Sequence, residues 1–103
     1  MPLRNLKIFI AVYETLNMTK ASNLLYISQS AISQTIKQLE DHYKVKLFER
    51  FHKKLFHTEA AHKFYEFAIS IVNKYNELDL APMSILSPAN RRRAAAEIGR
   101  AHV

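Results

Sequence analysis

The sequence predicts a mainly α chain built on a helix-turn-helix, followed by a short two-stranded element and a long last helix. The stretch TKASNLLYISQSAISQTIKQL, Thr19 to Leu39, reads as a short helix, a tight turn and a longer helix with a narrow apolar side. After Tyr43 the helical period gives way to short, moderately alternating runs. From Thr58 or Glu59 it returns and persists to about Leu80 in a heptad rhythm.

The first helix is expected from Pro2 or Leu3 to Leu16, where Leu3, Leu6, Phe9, Ile10, Tyr13 and Leu16 recur at steps of three and four. Asn17 and Met18 break that pattern. The second helix, Thr19 to Leu25, is expected to be capped by Thr19 and to bury Ala21, Leu24 and Leu25, Ala21 being small where crossing helices approach closely. Ser28 is placed to cap the third helix, because its hydroxyl can take an orphan N–H of the first turn.

At about 100° per residue, Ile32, Ile36, Leu39 and Tyr43 fall on one side of the third helix and must face a core. Ser30, Gln34 and Lys37 fall opposite, with Gln29 and Ser33 on the flank. Gln makes paired bonds to adenine, Ser bonds bases or backbone, and Lys favours guanine or phosphate. An ordinary solvated helix face carries Glu and Lys at helical spacing instead.

Beyond Tyr43, Leu47 to Arg50 and Leu55 to Thr58 read as two short strands around Phe51 to Lys54, although FHKK has no Gly or Asn to fix a tight turn. In the last helix Ala61, Phe64, Ala68, Ile71, Tyr75 and Leu78 keep the three-four spacing, and Phe67 and Val72 widen the stripe. Some twenty helical residues extend about 30 Å, more than a domain this small can cover, so part of the stripe needs another surface. The alternative is a helix packed wholly on its own domain.

With these residues in view, LKIFIAVYETLNMTKASNLLYI followed by SQSAISQTIKQLEDHYKVKLFER resembles the N-terminal winged helix-turn-helix of LysR-type bacterial transcription regulators. The match rests on Leu6, Phe9 and Val12; Thr19, Ala21 and Leu25; Ser28, Gln29, Ala31, Ser33, Ile36, Leu39 and Glu40; then Leu47, Phe48, Arg50, Leu55 and Thr58. It covers about the first four fifths of the chain. Three positions depart from the family pattern: Lys44 stands where Gly is usual, Ala61 where Gly or a similar small residue is usual, and Ser30 where Pro is frequent. Lys44 in a left-handed cap would cost about 1 kcal/mol relative to Gly.

The resemblance implies a transcriptional regulator, often of a neighbouring gene and its own promoter, that binds duplex DNA as a dimer. Together with the polar side of the third helix read above, it makes Thr19, Ser28, Gln29, Ser30, Ser33, Gln34 and Lys37 the candidate DNA-binding residues, the helix from about 28 to 43 lying in the major groove. The hairpin becomes a wing at 50–55 that sets Arg50, Lys53 and Lys54 on phosphates or in the minor groove. A solvated charged tip is the plainer reading of either lysine. Two roles stay open for Arg50, an ion pair with Glu40 that braces the wing or a phosphate contact. Phe64, Phe67, Ala68, Ile71, Val72, Tyr75 and Leu78 would pair with a second subunit, homodimer or higher, so that two recognition helices address successive half-sites.

The expected organisation is a winged helix-turn-helix domain over 1–58, a linker and dimerisation helix over 59–80, and an unstructured tail over 81–103. The tail is expected to be non-native, since IGRAHV is what the adapter-like string ATC GGA AGA GCA CAC GTC encodes; a basic arm on DNA is the functional alternative. In 103 residues, 49% of them hydrophobic, there is room for one small core but not also for the family's ligand-sensing domain, so no small-molecule ligand is expected. The net charge of +6 divides evenly between residues 1–81 and the tail. Overall basicity is therefore weaker support for nucleic acid than the local cluster Lys44, Lys46, Arg50, Lys53 and Lys54.

Zero cysteines exclude disulfides and thiolate metal sites. Arg4, Lys7 and Glu14 interrupt the first apolar run, unlike a signal peptide, and no stretch approaches the roughly 20 apolar residues of a membrane span, so the cytoplasm is expected. His57 and His62 are five apart and would not share a helix face, while His42, His52 and His102 stand alone. One Gly allows no phosphate-cradling loop, and no catalytic constellation stands out. Neither an enzyme nor any cofactor or metal is expected. Two rivals remain: a dimerising scaffold that acts through mixed dimers without its own DNA function, and an RNA binder. Against the second, Phe and Tyr sit mainly at core spacing, not on a stacking platform.

Overall fold

The structure, a computed structural model, describes residues 3–80. It contains α1 (Leu3–Thr15), α2 (Met18–Leu25), α3 (Gln29–Tyr43), β1 (Phe48–Phe51), β2 (Lys54–His57) and α4 (Glu59–Leu80). The expected tail, with Arg91 to Arg93, Gly99 and His102, lies outside the described residues, as does Pro2. By internal packing the chain divides into one unit ending at Asn73 and a second beginning at Lys74. The helices of the helix-turn-helix, the wing and the first part of α4 belong to the first unit.

The core of that unit is assembled around α1, which packs on both α2 and α3. Phe9 is fully buried and gathers rings from β1, α4 and the next turn of its own helix: Phe48 at 5.6 Å, Phe64 edge-on at 4.7 Å and Tyr13 at 5.9 Å. Ile32, Ile36 and Leu39 of α3 close on the same core, with Leu47 and Leu55 from the wing side and Ala61 and Ala68 from α4. Ile8 and Ala11 are also buried, a wider arc of α1 than the apolar spacing marked, because α1 is covered from several directions. Ala21 is fully buried, as its size required.

Three expectations are corrected. Asn17, not Thr19, caps α2: its side-chain oxygen accepts from Lys20 N–H at 2.9 Å, and the helix begins at Met18. Leu24 is exposed, since the short α2 is enclosed on only one side. Tyr43, placed on the core side of α3, is half exposed, with its ring 5.3 Å from that of Phe64.

Other elements form for reasons readable in the chain. Ser28 caps α3 by accepting from Ala31 N–H at 3.0 Å. Lys44 adopts the left-handed conformation at the end of α3, φ 57° and ψ 41°, and its N–H reaches the Glu40 carbonyl. Thr58 starts α4: its hydroxyl accepts from Ala61 N–H at 3.2 Å and donates to the Lys46 carbonyl at 2.6 Å, tying helix start to wing root. The strands pair antiparallel with Phe48 opposite His57, Glu49 opposite Phe56, Arg50 opposite Leu55 and Phe51 opposite Lys54. His52 and Lys53 alone make the turn, both at positive φ, 51° and 63°. Leu16 and Tyr26 complete the positive-φ residues, so every such corner among the described residues carries a side chain.

Candidate nucleic-acid interface

The polar side of α3 is open. Gln29, Ser30, Ser33, Gln34 and Lys37 are all exposed, while Ile32, Ile36 and Leu39 hold the helix from behind. Ser28 is exposed too, but its hydroxyl already accepts a bond at the start of α3, which leaves it one donor hydrogen for a ligand. Thr19 stands exposed near the start of α2; its carbonyl, not its hydroxyl, is engaged, accepting from the Ser22 hydroxyl at 2.8 Å.

The wing is held against this surface by Glu40, which leaves α3 from its half-buried flank. Its carboxylate accepts from Leu47 N–H at 2.7 Å and from Phe48 N–H at 3.3 Å. A charged acceptor on two strand amides fixes where β1 starts. Glu40 therefore braces the wing through its backbone. Among the described residues Arg50 makes no ion pair, with Glu40 or any other carboxylate.

Two adjoining clefts result, and Arg50 borders both. The first lies between α3 and β1, with Ser33, Lys37 and Arg50 on its walls; Lys44 and Lys46 add cations, and Glu40, Asp41 and Glu49 offset them. The second lies between the start of α2 and the wing, with Thr19, Gln29, Arg50, Lys53 and Lys54 around it and no carboxylate in its lining. Its surplus of cations suits a polyanion. Ser28, Ser30 and Gln34 line neither cleft and project from the helix itself.

Sequence spacing overlooked the outer face of the wing, where Phe51 and Phe56 are exposed. The signal was available in the alternation, since Phe48, Arg50 and Leu55 lie on the other face of the ladder. It also left His57 and His62 apart, whereas a strand and a helix bring their rings to 5.1 Å. His57 Nε2 donates to the Tyr13 carbonyl at 2.7 Å, and the Tyr13 hydroxyl lies 2.7 Å from His62 Nδ1. These bonds fasten the wing and α4 to α1. Tyr65 adds another by donating to Glu14 at 2.6 Å, and this bond raises its pKa above the usual 10.0. No group of three or more His, Cys, Asp or Glu placed to hold a metal occurs among the described residues.

The residues assigned to dimerisation divide. Ala68 is buried in its own unit, and Phe64 and Val72 are partly buried against the same core. Phe67 and Ile71 remain 70% and 49% exposed beside an apolar groove that includes Leu6, Tyr43 and Val45. Tyr75 and Leu78, in the second unit, are half exposed.

Residues 3–62 match the family model described as bacterial regulatory helix-turn-helix protein, lysR family. This chain belongs to that family. It is 35% identical over 78 residues to the HTH-type transcriptional regulator BenM of Acinetobacter baylyi, an alignment covering 76% of this chain and 26% of BenM. Its fold is similar to that in the crystal structure of the BenM DBD/catB site 1 DNA complex, with TM-score 0.76, 33% identity and coverage of 84% and 98%. The CbnR DBD–DNA complex is similar at TM-score 0.72 and 36% identity, covering 93% of this chain and 99% of that one. The LysR-family chain spans about a quarter of the length of several curated relatives it matches, 26% for BenM and 27% for CatR of Pseudomonas putida. Its fold is the winged helix-turn-helix of these regulators. No helix among the described residues is long and apolar enough to cross a membrane.

Proposed function

We propose that this LysR-family chain reads operator DNA as a dimer in the cytoplasm, with α3 in the major groove and the wing on the backbone or minor groove. The observation that carries the reading is the open polar side of α3: nothing in its own unit covers Gln29, Ser30, Ser33, Gln34 or Lys37. Gln29 and Gln34 present amides that suit adenine, and Ser30 and Ser33 reach bases or phosphates. Lys37, Lys53 and Lys54 supply charge. With Glu40 committed to strand amides, Arg50 is assigned to phosphate. The relatives solved as DNA complexes support the same use of the domain.

Support for the dimer comes from Phe67 and Ile71, large apolar side chains left exposed beside a groove on α4. Two such chains would place their recognition helices on half-sites one turn apart. The proposed division is 1–58 for DNA, 59–80 for pairing.

The test is affinity for a duplex recovered by the chain from a randomised library, measured against salt. Gln29→Ala and Ser33→Ala are expected to weaken that duplex by about 1–3 kcal/mol relative to scrambled DNA, with helicity unchanged. Lys53→Ala should weaken all sequences alike and flatten the salt slope by about one unit. Unchanged operator affinity in Gln29→Ala would remove its base-reading role, and binding that ignores salt would remove the DNA reading altogether.

A further inference from the structure

Resting on the DNA reading above, we propose that Phe51 is a minor-groove wedge: its ring enters between two base pairs at the wing contact, partly unstacking that step. Three observations converge on it.

The ladder register gives the wing an inner face, where Phe48 and Leu55 are buried in the core, and an outer face that carries Glu49, Phe51, Lys54 and Phe56. Phe51 ends β1 at the tip and is 66% exposed, although a hairpin end facing only water has no use for a large apolar ring.

The turn beyond it is the second observation. A two-residue hairpin turn with both residues left-handed is ordinarily Asn-Gly or a similar pair. Here His52 and Lys53 take that conformation with full side chains, which sets both of them at the tip beside Phe51. The His52 ring stands edge-on to Phe51 at 4.2 Å and 76°, so the two rings lie together at the tip.

The third is charge. Lys54 is the cross-strand partner of Phe51 and Lys53 is in the turn, so cations flank the ring. Both lysines line the cleft that also holds Thr19, Gln29 and Arg50, which makes the tip continuous with the proposed DNA face. Apolar side chains flanked by cations are how minor-groove proteins insert between base steps. Unstacking costs least at flexible pyrimidine–purine steps. The chain should therefore prefer TA or CA/TG where the wing lands, a preference that α3 does not read.

The experiment places 2-aminopurine at successive positions of the selected duplex and follows its fluorescence on binding the full chain. A rise confined to one step per half-site is expected with the unaltered protein. Phe51→Ala should abolish the rise and weaken binding roughly tenfold while leaving the salt slope unchanged; Phe51→Leu should keep part of both. Lys53→Ala should keep the rise and flatten the slope. The wedge is overturned if Phe51→Ala binds with the rise intact. It is overturned equally if that variant loses self-association in sedimentation instead, which would make the ring a contact between copies. In both cases salt-dependent DNA binding by the unaltered chain still stands, so the two readings fail separately.

Discussion

Lys44 occupies a backbone position that suits glycine, and the structure shows it paying the conformational penalty that its sequence position foretold. Lys44→Gly should raise stability by up to about 1 kcal/mol, less what glycine adds to the freedom of the unfolded chain. Thermal unfolding would register a gain of a few degrees, and a loss would mean that the lysine side chain contributes more than its backbone costs. Glu40 is the opposite case. In the sequence Arg50 is open between an ion pair with Glu40 and a phosphate contact, because spacing cannot tell whether a carboxylate reaches a guanidinium or backbone amides. Glu40 reaches the N–H groups of Leu47 and Phe48 at the entry to β1. Glu40→Ala should cost about 1–3 kcal/mol, as expected when buried donors lose a charged acceptor. Amide exchange at Leu47 and Phe48 should quicken before exchange elsewhere in the core.

Among elements, capping gives the cleanest comparison. Ser28→Ala and Asn17→Ala should each destabilise the domain by about 1 kcal/mol, whereas Thr19→Ala should leave stability unchanged in denaturant titrations while weakening DNA. The boundary of α2 was misplaced by one position because Asn17 and Thr19 are both competent caps, and only the backbone angles at Asn17, φ −153° and ψ 112°, separate them. Helices α1 and α3 were legible from apolar spacing, as was α4. The wing turn was not, because FHKK lacks the glycine that marks such turns, and its geometry follows from the strand pairing on either side. Nor were the polar ties between α1 and α4, where Tyr65 reaches Glu14 and Tyr13 reaches His62. The raised pKa of Tyr65 means that the folded chain keeps this proton after the unfolded chain has lost it. Stability is therefore whole below about pH 10 and declines as pH rises from there through the folded value. Tyr65→Phe should flatten that alkaline decline in urea titrations at successive pH values.

For the whole molecule, the proposed dimer rests on the apolar groove beside Phe67 and Ile71. Phe67→Glu is expected to shift sedimentation toward a monomer with its helix content intact and to weaken operator binding by roughly a hundredfold or more, because linkage between half-sites is lost. A monomer with undiminished affinity would show that pairing is dispensable. Exposed polar residues on α3 were readable individually, but their joint geometry with the wing was not, since it depends on the brace from Glu40 and on a turn without glycine. That turn also bears on what can change over time. Leu16, Tyr26, Lys44, His52 and Lys53 bend the chain where glycine would do so more cheaply. Single substitutions at Tyr26, His52 or Lys53 can thus alter what the molecule presents to a partner without redrawing its path. On the proposed DNA face, a change at His52 or Lys53 would then alter operator preference by a single codon.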